Sequence, residues 1–83
     1  MTSVKQLRPD LINYLGKHQL LKKFEKQVTI FCKDLRHPSL HTEILEPKNL
    51  RLYSFRISRQ YRVIFGYDRN GEVEIVDINN HYK

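Results

Sequence analysis

Two arginines and a terminal His-Tyr pair could do chemistry on a phosphate group. Arg56 and Arg62 lie in the stretch YSFRISRQYRVIF, and the chain ends on NNHYK, which contains His81 and Tyr82. Guanidinium groups donate paired hydrogen bonds to phosphate, and the ordinary pKa of a histidine side chain lies near neutrality. Polar chain ends usually fray. His81 and Tyr82 are therefore either a frayed tail or reagents that the preceding strand positions.

RNA is a phosphate substrate that such residues could cleave without a metal ion, because its 2′-hydroxyl can attack the adjacent phosphorus. The reaction needs a base, cationic donors for the phosphoryl oxygens, and an acid for the departing 5′ oxygen. Arg56 and Arg62 suit the cationic role, and His81 suits the base or the acid. Tyr82 could donate a proton, position the phosphate or stack on a base. Glu43, ahead of the strands, could be the base.

Purely structural interpretations exist for several of these residues. Tyr82 could be a packing residue, and Glu43 could be an ordinary surface carboxylate. His37 and His41 in HPSLH have the four-residue spacing of a helical metal site, but Pro38 lies between them and disfavours a helix there. We therefore assign both histidines to a loop, and we predict neither a metal site nor another cofactor.

The charge of the chain points to a polyanionic partner. Fifteen Lys+Arg against nine Asp+Glu give a net charge of +6. The stretch 47–67 contains basic residues and no acidic one. Beyond the two arginines already named, the predicted RNA contacts are Lys48, Arg51, Arg59 and, at the chain end, Lys83. The simpler alternative is a solvated basic surface.

The composition also limits the compartment. Cys32 is the single cysteine, which excludes an intrachain disulfide and four-thiolate zinc, and a reducing cytoplasm fits best. The start MTSVKQLRPD lacks the apolar core of a signal peptide, and no apolar stretch approaches the ~20 residues of a spanning helix. We expect a soluble cytoplasmic protein.

The first half of the chain predicts a helical hairpin. The whole chain has 83 residues, which allow one small domain, residues 1–83. Apolar residues recur at spacings of three and four over 19–35, which indicates an amphipathic helix. A shorter helix over 9–15 has Pro9 at its start and Gly16 just past its end. Residues 3–7 could form a short leading strand.

After Pro38 the periodicity changes to two, which predicts three antiparallel strands in LRLYSFRIS, YRVIFGYD and EVEIVDI. A three-residue loop at 58–60 places Arg56 opposite Arg62, on what we call the arginine face. We prefer this register because a two-residue loop would put the charge of Arg62 among apolar side chains. The opposite, helix face then carries Tyr53, Phe55, Ile57, Tyr61, Val63, Phe65 and Tyr67.

The register of the last strand stays open at this point. A two- or four-residue loop around Asn70-Gly71 places Val73, Ile75 and Asp77 on the arginine face and Val76 and Ile78 on the helix face. A three- or five-residue loop reverses this arrangement. Either loop brings residues 79–83 close to the start of the second strand, and therefore to the two arginines.

The segments HPSLHTEIL, LYSFRISRQYRVIFGYD and VEIVDINNHYK, preceded by a helical hairpin, resemble the RelE/ParE superfamily of bacterial toxin–antitoxin toxins. The resemblance covers nearly the whole chain. It implies an α+β toxin with an N-terminal helical hairpin on a small twisted antiparallel sheet, similar to microbial RNases. It also implies a cognate antitoxin as partner in a hetero-oligomer, and we expect an acidic antitoxin segment to cover the arginine face.

The superfamily has two activities. RelE-like toxins cut mRNA in the ribosomal A site, whereas ParE-like toxins inhibit DNA gyrase. The ending HYK favours ribosome-dependent cleavage, although a gyrase inhibitor or an inactive RNA-binding relative is also consistent with the sequence. The YoeB type is similar in pairing a terminal His-Tyr with two strand arginines and a glutamate. The corresponding residues are His81, Tyr82, Arg56, Arg62 and Glu43.

Three positions affect this correspondence with the RelE-like toxins. Glu46 is an alternative to Glu43, because the residues around EPKN can be aligned in more than one way. Asn79 stands where RelE itself has an arginine-bearing strand end. The lysine cluster of RelE is reduced to Lys48. The resemblance therefore leaves the division of acid and base roles open.

Overall fold

In the computed structural model, which describes residues 2–80, two helices pack against one face of a four-stranded antiparallel sheet. The strands follow the order β1-β2-β3-β4 across the sheet. This architecture confirms the predicted α+β class. The elements are α1 (Pro9–Lys17), α2 (Leu21–Lys33), β1 (Glu43–Ile44), β2 (Tyr53–Arg56), β3 (Arg62–Tyr67) and β4 (Val73–Asn79), with short 3-10 helices at Pro38–Leu40 and Lys48–Leu50.

Both predicted helices are present, with shifted ends. Helix α1 begins at Pro9, where the missing N–H costs no helical hydrogen bond, and it continues through Gly16 to Lys17. Gln19 then adopts a left-handed backbone (φ 58°) in the tight connection. Helix α2 begins two residues later than predicted and ends two residues earlier, because Asp34 is already extended.

The core lies between the helices and the helix face of the sheet. Phe31 of α2 is 1% exposed. Its ring stacks on Phe55 at 4.7 Å between centroids and meets the edge of Phe65 at 5.0 Å. Aromatic pairs of this kind stabilise by ~0.5–1.5 kcal/mol beyond their burial. The predicted apolar face is therefore confirmed, although Tyr67 at its far end is 48% exposed.

The predicted register of the β2–β3 hairpin is confirmed. Arg56 pairs with Arg62 and Phe55 pairs with Val63. The backbone N–H of Ile57 donates to the carbonyl of Tyr61 at 3.1 Å. The loop is therefore residues 58–60, and both arginines belong to the arginine face.

Strand β4 follows each of the two alternatives over part of its length. The connection is the five-residue turn 68–72, so Val73 and Ile75 lie on the helix face and are buried. The pairing register then shifts between Ile64 and Phe65, as in a β-bulge. Beyond this shift Asp77 pairs with Ile64 on the arginine face, and Ile78 pairs with Val63 on the helix face. Neither alternative was therefore correct for the whole strand.

The predicted leading strand is limited to a single bridge. Val4 forms a parallel bridge with Val73. The N–H of Lys5 donates to the carbonyl of Val73 at 2.8 Å, and the N–H of Val73 donates to Ser3 at 2.9 Å. The N-terminal segment thus covers the outer edge of β4. Neither of the helices within residues 2–80 is long and apolar enough to cross a membrane.

Candidate active site

Arg62 is a buried charge on the arginine face. It is 6% exposed, and its Nε donates to Ser54 Oγ at 3.0 Å. Its Nη2 donates to the backbone carbonyl of His41 and, at 3.4 Å, to that of Ser54. Charge-assisted hydrogen bonds are about twice as strong as neutral ones. The strand β2 and the loop before β1 therefore fix the orientation of this guanidinium.

Glu43 is the carboxylate that the fold brings to Arg62. Its Oε1 lies 3.9 Å from Arg62 Nη2, and its side chain is 43% exposed against 7% for Arg62. Strand β1 achieves this placement by pairing Glu43 with Ser54. The alternative, Glu46, lies in the exposed bend before Pro47. Of the two glutamates, the structure places Glu43 within reach of the buried arginine.

Arg56 lies opposite Arg62 and is half-buried. Like charges placed opposite each other on paired strands repel, and an anion that bridges them would relieve that cost. The structure shows that Arg62 already has acceptors in Ser54 and His41 and a carboxylate in Glu43. Part of the repulsion is thus relieved inside the fold.

The end of β4 reaches the same site, as predicted. Asn79 pairs with Arg62, and its Nδ2 donates to Asp77 Oδ2 at 2.9 Å. One row across the arginine face is therefore formed by Arg56, Arg62 and Asn79. The predicted reagents His81 and Tyr82 and the predicted RNA contact at the last residue, Lys83, lie outside the described residues.

The predicted RNA contacts divide between the two ends of the sheet. Arg59 lies in the β2–β3 loop and lines a cleft together with Arg56. Lys48 and Arg51 line a separate cleft with Tyr53 and Tyr67, at the opposite end of the sheet. The structure therefore brings Arg59 near the arginine pair and keeps the other two apart from it.

Two lysines of α2 were missed by the sequence analysis. Lys23 and Lys26 line the same cleft as Arg56 and Arg59. Their three-residue spacing places them on one side of the helix. However, the sequence gives no sign that the β2–β3 loop lies beside that side of the helix.

The two histidines of HPSLH have loop roles, as predicted. His37 Nδ1 accepts a hydrogen bond from the backbone N–H of Ser39 at 3.1 Å and so caps the 3-10 helix Pro38–Leu40. His41 adopts a left-handed backbone (φ 45°), and its carbonyl accepts from Arg62. The loop thereby supplies one of the acceptors that hold the buried guanidinium.

Solved toxin structures share this fold. A structure described as a YoeB/ParE toxin from Agrobacterium tumefaciens aligns with a TM-score of 0.70 and 17% identity over 99% of this chain and 100% of that one. A YoeB dimer from Staphylococcus aureus aligns with a TM-score of 0.70 and 17% identity over 98% of this chain and 95% of that one.

Sequence comparison identifies the family. An uncharacterized protein from Haemophilus influenzae is 44% identical over 50 residues, which cover 59% of this chain and 44% of that protein. The family model described as the RelE-like toxin of the type II toxin–antitoxin system HigB matches residues 6–81. The chain therefore belongs to the HigB-like family of RelE-like toxins of type II toxin–antitoxin systems.

Proposed function

We propose that this toxin is a ribosome-dependent mRNA endoribonuclease that acts in the cytoplasm and inhibits translation. The observation that carries the proposal is the buried, internally oriented Arg62, with Glu43 at 3.9 Å on one side and the end of β4 on the other. His81 follows Asn79 by two residues, and a chain spans at most ~3.6 Å per residue. The proposed acid–base group is therefore close in sequence to a strand residue that pairs with Arg62.

The proposed reaction needs no metal or other cofactor. The 2′-oxygen attacks the adjacent phosphorus, its proton passes to a base, and the bond from phosphorus to the 5′ oxygen breaks as an acid protonates that oxygen. The products are a 2′,3′-cyclic phosphate and a 5′-hydroxyl. Glu43 and His81 are the candidates for base and acid, and Tyr82 assists by positioning the phosphate or by donating a proton.

Arg62 supplies a fixed positive charge where the negative charge of the phosphoryl oxygens grows. Fixed charges in a site of low dielectric stabilise a transition state without the cost of reorientation. Arg56, half-buried beside it, adds a second guanidinium. Arg59, Lys48, Arg51 and Lys83 are proposed to hold the RNA backbone around the site.

The proposed partner in the resting cell is the cognate antitoxin. The net charge of +6 favours an acidic antitoxin segment, which we propose covers the arginine face. The affinity of the complex should then fall as the salt concentration rises. An association that is insensitive to salt would contradict this arrangement.

Induced expression followed by transcript mapping tests the activity. We expect translation to stop and mRNA to be cut within codons, and purified toxin should cut mRNA only in the presence of ribosomes. Intact RNA together with stabilised gyrase–DNA cleavage complexes would replace the proposal with a gyrase inhibitor. Neither effect would indicate an inactive RNA-binding relative.

A single substitution tests the terminal reagents. His81→Gln should lower the cleavage rate by ~10² to 10⁴, the usual effect of losing a proton-transfer group. The comparison variant is Lys83→Gln, which removes one proposed RNA-backbone contact but keeps His81 and Tyr82, so it should lower the cleavage rate far less. Removal of residues 81–83 should also abolish cleavage with little loss of stability. Normal cleavage by His81→Gln would show that the tail takes no part in the reaction.

A further inference from the structure

A cleft of about 500 Å³ separates α2 from the β2–β3 loop, and we call it the α2 cleft. The residues that line it are Lys23, Lys26, Gln27, Arg56, Ile57, Ser58 and Arg59. Four of these side chains are cationic and none is acidic. The proposed cleavage reaction uses Arg56 from this set and leaves the lysines of α2 without a role.

The positive charge of the α2 cleft is not balanced from within. Within residues 2–80, Lys23, Lys26 and Arg59 form no ion pair with a carboxylate. Arg62 differs, because Glu43 lies 3.9 Å from it. Grouping cations without counter-charges costs electrostatic free energy, and a polyanion bound in the cleft would offset that cost.

A buried glutamine fixes the floor of the α2 cleft. Gln27 is 8% exposed, and its Nε2 donates to the carbonyl of Ser39 at 3.2 Å and to that of Arg56 at 2.8 Å. These hydrogen bonds tie α2 to the end of β2. The spacing between the lysines of the helix and the arginines of the hairpin is therefore set by the fold.

An aromatic group lies at one end of the cleft. The rings of Tyr14 and His18 are 4.3 Å apart, and those of His18 and Tyr61 are 5.6 Å apart. The hydroxyl of Tyr61 lies 3.3 Å from His18 Nδ1. His18 is exposed, and it lines an adjoining hollow together with Lys23 and Arg59. Aromatic rings beside a basic groove are the usual components of single-strand binding, because bases stack on rings.

We infer that the α2 cleft binds the backbone of single-stranded RNA, with a base stacked on His18, and leads the strand to the arginine face. Arg56 belongs to both surfaces, so the two are continuous. The inference deepens the proposed function and rests on it. A partner protein fits less well, because Ile57 is the single aliphatic residue among those of residues 2–80 that line the cleft, and they offer a partner helix no apolar groove.

Binding of an RNA that cannot be cut tests the inference. The probe is a fluorescein-labelled 2′-O-methyl RNA of about 12 nucleotides, whose lack of a 2′-hydroxyl prevents the proposed attack. A plot of log association constant against log salt concentration has a negative slope, and each phosphate contact to a single strand contributes about 0.7 to its magnitude. Lys23→Gln/Lys26→Gln should therefore reduce that magnitude by about 1.4, which corresponds to about 25-fold weaker binding at about 0.1 M salt. Fluorescence anisotropy over a salt series measures both quantities.

The matched control is Lys22→Gln/Lys33→Gln. It removes the same charge from exposed positions of α2 outside the α2 cleft, and it should bind nearly like the wild type. His18→Ala should weaken binding about fivefold or more with an unchanged salt slope, because stacking involves no phosphate. Urea midpoints should show that all three variants are folded.

Several results would overturn the inference. They are equal losses in the test and control variants, wild-type affinity in Lys23→Gln/Lys26→Gln, and no binding of the probe by the wild-type chain. Wild-type RNA affinity combined with weaker antitoxin binding would make the cleft a protein-docking site instead. Failure of the proposed function is a separate result, since it appears as absent ribosome-dependent cleavage by the wild type, whereas the probe reports binding alone.

Discussion

The two connections at opposite ends of the sheet, turn 68–72 and loop 58–60, differ in whether their charged side chains have partners within the fold. At the end formed by turn 68–72, Asp68 Oδ1 accepts the backbone N–H groups of Asn70 at 2.8 Å and Glu72 at 3.0 Å. Its Oδ2 lies 3.4 Å from Lys5 Nζ. At the end formed by loop 58–60, Arg59 lines the α2 cleft beside further cations. The turn at the first end thus has its acidic side chain paired, whereas the loop at the second end lies among a surplus of positive charge.

This difference separates charges that hold the fold from charges that are available to a ligand. Asp68 and Lys5 are partners of each other and of the backbone, so their contribution is to stability. Arg59 has no such ion pair within residues 2–80, so its charge is available to a polyanion. Arg62 combines both properties, because it is buried and internally bonded and lies on the face proposed for catalysis.

The largest effect is expected from the glutamate beside Arg62. If Glu43 is the base, Glu43→Gln should lower the cleavage rate by ~10² to 10⁴ while the fold is retained. Glu46→Gln is the matched control, because that residue lies in the exposed bend before Pro47. Ribosome-dependent cleavage rates compare the two variants. A larger loss in Glu46→Gln would move the role to the other glutamate and contradict the geometry around Arg62.

Arg62→Ala should be the variant that loses most stability. It removes the hydrogen bonds that Arg62 donates to the hydroxyl and carbonyl of Ser54 and to the carbonyl of His41, and breaking such a buried set costs ~2–5 kcal/mol. A loss of this size is a large fraction of the ~5–15 kcal/mol by which a small domain is stable. The free energy of unfolding in urea measures the change.

Arg56→Ala is the matched control for Arg62→Ala. The two arginines are paired across the hairpin, but Arg56 is half-buried where Arg62 is buried. We therefore expect Arg56→Ala to cost within ~1 kcal/mol of stability. Equal losses in the two variants would contradict the distinction between an internally bonded arginine and one available to RNA.

A smaller effect should separate the two ends of the sheet in RNA binding. Arg59→Gln removes one of the proposed phosphate contacts, which should lower affinity for single-stranded RNA about fivefold at about 0.1 M salt. Lys48→Gln removes the same charge at the opposite end of the sheet and should change affinity less. Anisotropy with the 2′-O-methyl probe measures both. A larger loss in Lys48→Gln would show that the cleft of Lys48 and Arg51 holds the RNA backbone more strongly than the α2 cleft does.

The sequence was sufficient to predict features that depend on residues close together along the chain. The register of Arg56 and Arg62 follows from the alternation of apolar residues and from the cost of placing a charge among them. The bulge in β4 could not be foreseen, because either alternation satisfies the apolar pattern and tertiary pairing decides where the register shifts. In addition, it is a contact across the fold that gives Arg62 the carbonyl of His41.

The same limit applies to the α2 cleft. The sequence shows that Lys23 and Lys26 are charges on one side of a helix. Whether they form a basic cleft depends on the hairpin loop that packs beside them. Gln27 joins the helix to that hairpin through backbone carbonyls, which carry no residue-specific signal in a sequence. A surface formed by two elements distant in sequence therefore becomes apparent only when their packing is known.

The smallest expected effect is a pH dependence of the folding stability that Asp68 contributes in turn 68–72. Hydrogen bonds from the backbone N–H of Glu72 and Asn70, together with Lys5, hold the pKa of Asp68 below its ordinary value. A lowered pKa in the folded state means that the ionised carboxylate stabilises the fold above the unfolded pKa of ~3.9. That contribution is lost as the pH falls through the folded pKa. Asp68→Ala should therefore have a lower urea midpoint than the wild type near neutral pH, and the gap should narrow below about pH 4.

Asp68→Asn separates the charge of this residue from its hydrogen bonds. Asparagine keeps an oxygen that accepts from the N–H groups of Asn70 and Glu72 but has no charge for Lys5. Its urea midpoint should therefore lie between those of the wild type and Asp68→Ala near neutral pH, and it should approach the wild type in acid. RNA affinity should not fall in either variant, because neither substitution removes one of the cations proposed to contact RNA. A gap between the wild type and Asp68→Ala that stays constant from neutral to acid pH would show that the charge of Asp68 does not stabilise the turn.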